Sequence, residues 1–335
     1  MPTVHRPFLN PTLMRMISLA AVLHITLAGL VSAQQAPQFS LHMLNPFLYQ
    51  PAAAGIDNSL LLSGSYRNQW IGLPGSPVSL NLSAQMPLLG NGIGLQVEKE
   101  SIGSWEQTSA SAAYALHTRT SKTGTLSFGI RAGFLQQQLD GSSVRTPGTE
   151  FLDEGTPATH NDPLLSVAVE SGSSYTLQAG ILYRNNRFTT GFSAINLLEN
   201  TVRSNTLTFT TKRTGFLTVG YRMPIGRKWD FTPSALLKTD LTQLQLDLSA
   251  MLHYRENIFA GASFRGYSSN SIDALALFAG AKVNEKLSAA IAFDLGLSSL
   301  RQTHDGSLEL NLNYSLGKTF GQGRPPNIIY NPRSL

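Results

Sequence analysis

Serine and histidine are the residue types in this sequence that could carry out nucleophilic chemistry, and their spacing offers one candidate pair. Ser249 and His253 lie four positions apart in a segment that alternates between apolar and polar residues, so both would point to one face of a strand. A serine hydrolase also needs a third group that orients the imidazole, and no acidic residue stands in an obvious position for that role. A lipid hydrolase therefore stays only as an alternative function.

The other candidate motifs do not predict a metal or cofactor site. Beyond the first thirty-three positions, the histidines are scattered without the i, i+4 pairing of metal-binding helices: they are His42, His117, His160, His253 and His304. Gly90, Gly92 and Gly94 lead into a predicted strand, whereas a dinucleotide site requires a helix. They indicate a tight turn. Acidic residues within 139–172 do not have EF-hand spacing, so calcium binding there stays open on ligand type alone. We expect no catalytic residue and no cofactor.

The composition excludes several classes of protein. Of 335 residues, 13% are charged and 42% are hydrophobic, and cysteine is absent. Soluble proteins carry about 25% charged residues, while disordered chains combine low hydrophobicity with high net charge. Neither description fits. Without cysteine there is no disulfide framework or thiol nucleophile, and a net charge of +5 is too small to indicate nucleic-acid binding.

The amino terminus has the pattern of a secretory signal peptide. Arg6 and Arg15 precede the apolar run 17–30, which ends in Val31, Ser32 and Ala33. A basic start, a short apolar run and a small residue at the cleavage site predict a signal peptide over residues 1–33. The run is shorter than the roughly 20 residues of a membrane helix. The mature protein is therefore expected to be exported.

From residue 59 onward the dominant pattern has a period of two, which predicts strands with one apolar face. The predicted strands are 59–70, 76–87, 92–98, 106–117, 124–138, 173–184, 187–194, 213–224, 229–237, 244–254, 258–265, 272–283, 286–296 and 307–316. Many have about ten residues, the length with which a tilted strand crosses a bilayer. An even number of such strands, about fourteen, predicts an all-β, transmembrane antiparallel barrel of the outer-membrane type over residues 59–316.

The connections between these strands predict an orientation. Barrels of this class have short turns on the periplasmic side and longer loops outside. Every second predicted connection is short, and the opposite set contains the longest ones, 139–172 and 195–212, together with 297–306. These three connections are therefore expected outside the cell, and the protein is expected in the outer membrane.

If the apolar residues face lipid, the alternating polar residues face the lumen. The candidate lumen network comprises Arg67, Glu98, Arg131, Asp247, Asp294 and Glu309. Both signs of charge occur in this set, and unpaired charges in such a space would be costly. The interior is therefore expected to be cross-linked. A passive porin, which would need an open lumen, stays as an alternative.

Two proline-containing segments lie outside the strand series, and proline-rich stretches favour extended conformers. Residues 34–58 are expected to be periplasmic or lumenal, where they would plug the barrel or dock a partner. Residues 317–335 form a predicted periplasmic tail. Its candidate partner-docking residues are Arg324, Asn331, Pro332 and Arg333. Disorder is the alternative for this tail, since terminal residues are often loose.

Several motifs resemble those of a known family. They are Pro37-Gln38-Phe39-Ser40, Asn45-Pro46-Phe47-Leu48-Tyr49, Pro51-Ala52-Ala53-Ala54-Gly55 and Tyr66-Arg67-Asn68-Gln69-Trp70-Ile71-Gly72, with Ser101-Ile102-Gly103, Ser127-Phe128-Gly129 and Asn196-Leu197-Leu198-Glu199 further along. Together they resemble the PorP/SprF family of type IX secretion and gliding-motility membrane proteins. The chain departs from the family pattern at Gln50, where asparagine is usual, and at Ala53, where tyrosine is usual.

The resemblance implies a non-enzymatic outer-membrane barrel of Bacteroidetes-type bacteria. Such a protein would anchor or hand over secreted cargo or adhesins at the cell surface. The implied partners are periplasmic ring and peptidoglycan-binding components of the type IX machinery, the cargo itself and outer-membrane lipid, with no nucleic acid and no cofactor.

Overall fold

The computed structural model describes residues 36–144, 168–204, 208–255, 257–267 and 271–317. The predicted signal peptide 1–33 and the tail beyond Gly317 lie outside these residues. Among the residues described, the strands are β1 Leu61–Asn68, β2 Val78–Leu88, β3 Asn91–Ile102, β4 Trp105–Arg119, β5 Thr125–Asp140, β6 Val169–Arg184, β7 Phe188–Ile195, β8 Thr201–Arg203, β9 Thr208–Thr210, β10 Thr214–Tyr221, β11 Met223–Ile225, β12 Trp229–Thr239, β13 Leu244–Tyr254, β14 Ile258–Tyr267, β15 Ser271–Lys282, β16 Leu287–Gly296 and β17 Ser307–Ser315.

These strands close into one antiparallel barrel. Neighbouring strands pair from β1 to β7 and from β12 to β17, β10 pairs with β7 and β12, and the first strand pairs with the last, so that Arg67 lies opposite Glu309. β11 continues β10 beyond Arg222, since both pair with β12, and β8 with β9 forms a separate small hairpin. The barrel therefore has fourteen strand positions. The predicted all-β barrel of about fourteen strands is confirmed.

The described helices are short 3₁₀ turns, and none of them is long and apolar enough to span a membrane. They are His42–Leu44, Pro46–Leu48, Pro51–Ala53, Gly141–Ser143 and Ser299–Gln302.

The barrel wall has its apolar residues outside and its polar residues inside. In β13, Leu244, Leu246 and Leu248 are exposed, whereas the alternating residues Asp247 and Ser249 are buried. Successive side chains of a strand point to opposite faces, so a strict alternation of leucine with polar residues produces this division. An apolar outer face and a polar interior are the arrangement expected of a barrel that stands in lipid.

Replacing Leu248 with arginine is expected to lower the stability of the folded barrel in lipid by about 2–4 kcal/mol. Leu248 lies near the middle of β13 with 47% of its surface exposed, so the new charge would face hydrocarbon. The neighbouring lumenal residue gives the control: Ser249→Thr keeps the hydroxyl and should have a small effect. Urea unfolding from lipid vesicles measures both variants, and equal losses would show that the two faces are wrongly assigned.

The connections divide between two ends of the barrel. We call turn end the side with the connections 89–90, 120–124, 185–187, 226–228, 255–257 and 283–286, and loop end the side with 69–77, 103–104, 141–168, 196–213, 240–243, 268–270 and 297–306. Loop length does not alternate strictly, because 103–104 and 240–243 are short although they belong to the loop end. The strands β5 and β6 extend beyond their predicted ends, to Asp140 and from Val169, which shortens the connection between them.

Candidate functional site

The lumen of the barrel contains the chain's own residues 36–58, which we call the lumenal segment. Proline starts two of its 3₁₀ turns, at Pro46 and Pro51, where the missing N–H costs nothing. Gln50 precedes the second of these, and its side-chain oxygen accepts a hydrogen bond from the N–H of Ala52. Phe47 and Ala52 are completely buried. Both residues therefore pack in the interior of the barrel.

Apolar contacts hold the lumenal segment against several sides of the wall. Phe47 packs in a cluster with Ala113 and Leu182, and Leu41 packs in another with Met251 and Phe278. In a third cluster, Tyr49 stacks on the Phe216 ring with 4.6 Å between the ring centroids. Parallel aromatic pairs add to the free energy gained from burial. The lumenal segment is therefore the apolar core of the barrel, since the apolar residues of the wall mostly face outward.

Ser40 is the point at which the lumenal segment enters the charged interior. Its backbone N–H donates to Glu309 Oε2 at 2.6 Å, and the N–H of Leu41 donates to Glu309 Oε1 at 3.0 Å. The Ser40 hydroxyl donates to the Asp294 carboxylate at 2.8 Å and accepts hydrogen bonds from Arg67 and Arg265, each at 2.9 Å. One donor and two acceptors are the full capacity of a hydroxyl. The Ser40 hydroxyl therefore has no unused hydrogen-bonding capacity.

Two buried arginines and three carboxylates surround Ser40 and form the central ion network. Arg67 contacts Asp294 at 2.7 Å and Glu309 at 3.3 Å, and Arg265 contacts Asp294 at 3.2 Å and Asp247 at 3.3 Å. All five side chains are at most 3% exposed. They come from β1, β13, β14, β16 and β17, so the network crosses the seam where the barrel closes. Buried charges are costly unless they are paired and hydrogen-bonded in this way.

The other two candidate network residues lie elsewhere in the lumen. Arg131 donates to the backbone oxygens of Phe47 and Leu48 and to the side chain of Gln178, and its guanidinium lies 4.1 Å from the centre of the Phe47 ring. Arg131 therefore binds the lumenal segment in two ways: it donates hydrogen bonds to backbone carbonyls of the segment, and it makes a cation–π contact with Phe47. Glu98 accepts a hydrogen bond from Asn81 at 3.1 Å.

The structure thus divides the six predicted network residues. It brings Arg67, Asp247, Asp294 and Glu309 together, whereas Glu98 and Arg131 stand apart from them. Sequence reasoning missed Arg265 and Ser40. Arg265 could have been found, because it follows Phe264 in a predicted strand in which apolar and polar residues alternate. Ser40 lies outside the predicted strands, so no periodic pattern pointed to it.

Glycines on the inner wall give the lumenal segment room to approach. A Cβ atom at Gly129 would stand 2.3 Å from the backbone nitrogen of Ala52, and one at Gly92 would stand 1.8 Å from the backbone oxygen of Ala54. Gly94 likewise leaves space for the Phe47 ring. Only glycine permits backbones to come this close. The predicted tight turn at 90–94 is therefore partly wrong: residues 89–90 form the turn, and the next two glycines belong to β3.

Wall side chains also satisfy the backbone carbonyls of the lumenal segment. Ser193 donates to the oxygen of Tyr49 at 2.7 Å, Lys238 to that of Ala36 at 2.6 Å, and His117 Nε2 lies 2.9 Å from that of Ala54. In the reverse direction, Gln50 donates from Nε2 to two backbone oxygens of the wall at 3.0 and 3.1 Å. Buried carbonyls need such partners, so the lumen and the segment are complementary along their length.

Burial shifts the pKa of two side chains of the lumenal segment. Desolvation lowers the pKa of the His42 imidazole, an effect that the nearby Asp247 carboxylate partly opposes. Desolvation also raises the pKa of the Tyr49 phenol well above its ordinary value, and nearby acidic groups add to this increase. Both side chains are therefore uncharged at neutral pH.

Ser249 and His253 do not form a hydrolase pair. The Ser249 hydroxyl hydrogen-bonds to the Ser263 hydroxyl at 2.8 Å. His253 lies four residues further along β13, and at about 3.4 Å per residue the two are roughly 14 Å apart. Asp230 stands opposite His253 in the register, but its carboxylate accepts a hydrogen bond from Arg222 at 2.7 Å. His253 is therefore too far from Ser249 to act as its base.

Other candidate sites lie partly or wholly outside the residues described. The four tail positions Arg324, Asn331, Pro332 and Arg333 lie outside them, as does most of the acidic connection 139–172. Within the ranges that the structure does cover, no group of three or more histidine or acidic residues is arranged to hold a metal ion.

The chain has weak overall similarity to solved outer-membrane barrels. It matches the CymD monoaromatic hydrocarbon channel with 9% identity and a TM-score of 0.48, over 83% of this chain and 92% of the channel. It also matches the Ralstonia pickettii toluene transporter TbuX, with 9% identity and a TM-score of 0.47 over 82% and 92%. No curated protein matches the sequence significantly.

The strand pairing identifies the type of barrel, and the sequence identifies the family. A closed antiparallel barrel with an apolar outer face is the architecture of outer-membrane proteins, and the protein is an outer-membrane barrel. Residues 31–314 match the family described as type IX secretion system membrane protein PorP/SprF. This match includes the lumenal segment and nearly the whole wall. The resemblance of the motifs is therefore confirmed, and the chain belongs to the PorP/SprF family of type IX secretion membrane proteins.

Proposed function

We propose that this protein is a non-enzymatic anchor of the type IX secretion machinery, possessing a sealed lumen instead of a transport path. In this role it holds or hands over secreted cargo or adhesins at its loop end and docks periplasmic components at its turn end. The observation that carries the proposal is the lumenal segment, whose Ser40 and Phe47 are bound by the wall on opposite sides. A solid barrel can anchor partners on both sides of a membrane without making it leak.

The same observation argues against the passive porin. A porin lumen is a water-filled channel with a polar interior, whereas apolar clusters around Phe39, Leu41 and Phe47 fill this one. The hydrolase alternative loses its support because His253 is too far from Ser249 to act as its base.

We further propose that the turn end faces the periplasm. Support comes from the longest connection, 141–168, at the opposite end, since long loops of such barrels are extracellular. β17 ends at Ser315 on the turn end, where it pairs with Leu61. The tail after Gly317 therefore leaves the barrel on the side proposed to be periplasmic.

A peptide tag inserted next to Gly155 is expected to be labelled on intact cells, because this position lies within the connection 141–168. The matched control is a tag in the turn 120–124, next to Lys122, which should be labelled only after the outer membrane is permeabilised. Surface labelling with a membrane-impermeant reagent measures both. The reverse pattern would invert the proposed topology.

Basic residues give the turn end the character of a docking surface. Among the described residues, those at or next to its turns are Arg119, Lys122, Arg184, Arg187, Arg222, Arg227, Lys228, Arg255, Lys282 and Lys286, against the acidic Asp57, Asp230 and Glu285. In this proposal the tail, which follows Gly317, contributes Arg324 and Arg333 to the same surface. Charge of one sign accelerates association with a partner of the opposite sign, and a proline-rich tail loses little conformational freedom on binding.

Truncation after Lys318 is expected to leave the barrel folded but to abolish co-purification with periplasmic ring and peptidoglycan-binding components. The barrel should persist because the strand pairing ends at Ser315, before the cut. Heat-modifiable migration on gels verifies folding, and affinity purification from cells measures partner retention. The control is Arg324→Lys with Arg333→Lys, which keeps the charge and the proline pattern. If the truncated protein retains its partners, the docking site lies on the turns and not on the tail.

A further inference from the structure

A cavity of about 360 Å³ lies between the lumenal segment and the wall at the turn end. Met43, Tyr49 and Ile56 line it from the segment, and Leu182 and Met251 line it from the wall. Exposed residues of two turns, including Arg187, form its rim, so the cavity is open to solvent at this end. Its volume is at the small end of the range for ligand sites, about 300–1,000 Å³.

The interior of this cavity offers mainly apolar contacts, because several of its polar groups are bonded within the protein. Ser193 donates to the backbone oxygen of Tyr49, Thr218 donates to that of Gly191, and Gln85 accepts from the N–H of Gly55. Gln50 likewise uses its side-chain amide on two wall carbonyls. A sugar or a peptide backbone needs free donors and acceptors, whereas an alkyl chain does not.

The rim of the cavity is cationic. Arg184, Arg187 and Arg222 belong to its lining. Arg184 pairs with Asp57 and Arg222 pairs with Asp230, each at 2.7 Å. Arg187 differs from both: within the described part of the chain it has no acidic group in ion-pair distance. Its exposed guanidinium has the fork of donors that binds a carboxylate or a phosphate through two parallel hydrogen bonds.

We propose that this cavity binds a single-chain anionic amphiphile of the fatty-acid type. The head group lies at Arg187 on the rim, and the tail lies against Met43, Ile56 and Leu182. Charge at the mouth and apolar surface below it match the polarity of such a molecule from head to tail. A chain of this kind could come from a free fatty acid or from a lysophospholipid, which share an anionic head and one tail. The rim shares Arg187 with the proposed docking surface, but binding of a fatty acid in nanodiscs needs no secretion partner, so the two proposals can fail separately.

The test uses the full-length protein in nanodiscs of neutral lipid, titrated with the fluorescent fatty acid cis-parinarate, with empty nanodiscs as the blank. We expect saturable binding to the protein. Arg187→Gln should weaken it about tenfold, the change that follows the loss of one charge-assisted hydrogen bond. Arg227→Gln removes the same charge from a neighbouring turn that does not line the cavity, and it should leave the affinity unchanged.

A cavity-filling variant and a set of competitors complete the test. Thr232→Phe places a ring in the cavity from the wall and should abolish binding. Laurate or lysophosphatidylglycerol should displace cis-parinarate, and whichever does so at lower concentration identifies the preferred head group. Dodecanol, which has the tail without the charge, should displace it poorly. Equal weakening by the two arginine variants, unchanged binding to Thr232→Phe, or displacement by dodecanol as effective as by laurate would each overturn the proposal.

Discussion

Replacing Arg67 with methionine is expected to lower the free energy of unfolding by about 3–5 kcal/mol, the usual cost of removing one partner from a buried ion pair. The Arg67 side chain is 2% exposed and contacts both Asp294 and Glu309. Methionine fills much of the same volume, but it leaves Glu309 without a cationic partner. Asp294 keeps Arg265 as its cationic partner. Urea unfolding from lipid vesicles measures the change, because the unfolding free energy falls linearly with denaturant.

An exposed ion pair provides the control for Arg67. Lys99 and Glu106 are 2.9 Å apart, but the Lys99 side chain is 51% exposed. Lys99→Gln should therefore cost at most about 1 kcal/mol. Adding Glu309→Gln to Arg67→Met should recover part of the loss, because it removes the carboxylate that is left without a cation. A small effect of Arg67→Met on its own would mean that water enters the network and solvates the carboxylates.

Displacing the lumenal segment is expected to convert a barrel that does not conduct into one that does. In Gly129→Val the new side chain would meet the backbone of Ala52, since even a Cβ atom there stands 2.3 Å from its nitrogen. Backbone cannot move aside as a flexible side chain can, so the segment has to leave its place. Planar-bilayer recordings should show ion conductance for this variant and for a chain lacking residues 36–58, and none for the unmodified protein.

Gly220 gives a matched control for this experiment. It lies on the inner wall like Gly129, but a Cβ atom there would meet only the Cβ of Ser234, at an ordinary 3.8 Å. Gly220→Val should therefore stay closed to ions. If neither Gly129→Val nor the deletion conducts, the wall side chains fill the lumen without help from the segment.

The alternation of single strands was sufficient to predict the barrel and its number of strands. In β13 the alternation of apolar and polar residues from Leu244 to Leu252 predicts which side chains face outward, because a period of two is a local property of the chain. The central ion network, in contrast, depends on contacts between residues that are far apart in the sequence. Arg67 and Glu309 are 242 positions apart and meet only because the first and last strands pair in one particular register.

The lumenal segment could not be placed from sequence for a different reason. Its 3₁₀ turns are too short to produce a periodic pattern, so Ser40 and Phe47 gave no sign of what they contact. A signal was present on the wall instead. Gly92, Gly94 and Gly129 stand at inward-facing positions of predicted strands, where a residue without a side chain indicates close approach by another backbone.

The position of Ser40 also has a consequence for the order in which the protein is assembled. Ser40 hydrogen-bonds to residues of β1, β14, β16 and β17, and the joint between β1 and β17 is the one that turns a sheet into a tube. A tube closed first would have to admit a folded peptide through an end lined by charges. We therefore expect the lumenal segment to be in place first, so that the sheet closes around it. Refolding a chain without residues 36–58, with that peptide added before or after the sheet has closed, would measure this order. A barrel without this segment keeps the backbone pairing of β1 with β17 but loses the Ser40 contacts across that joint, so the joint should be the weakest point of its wall.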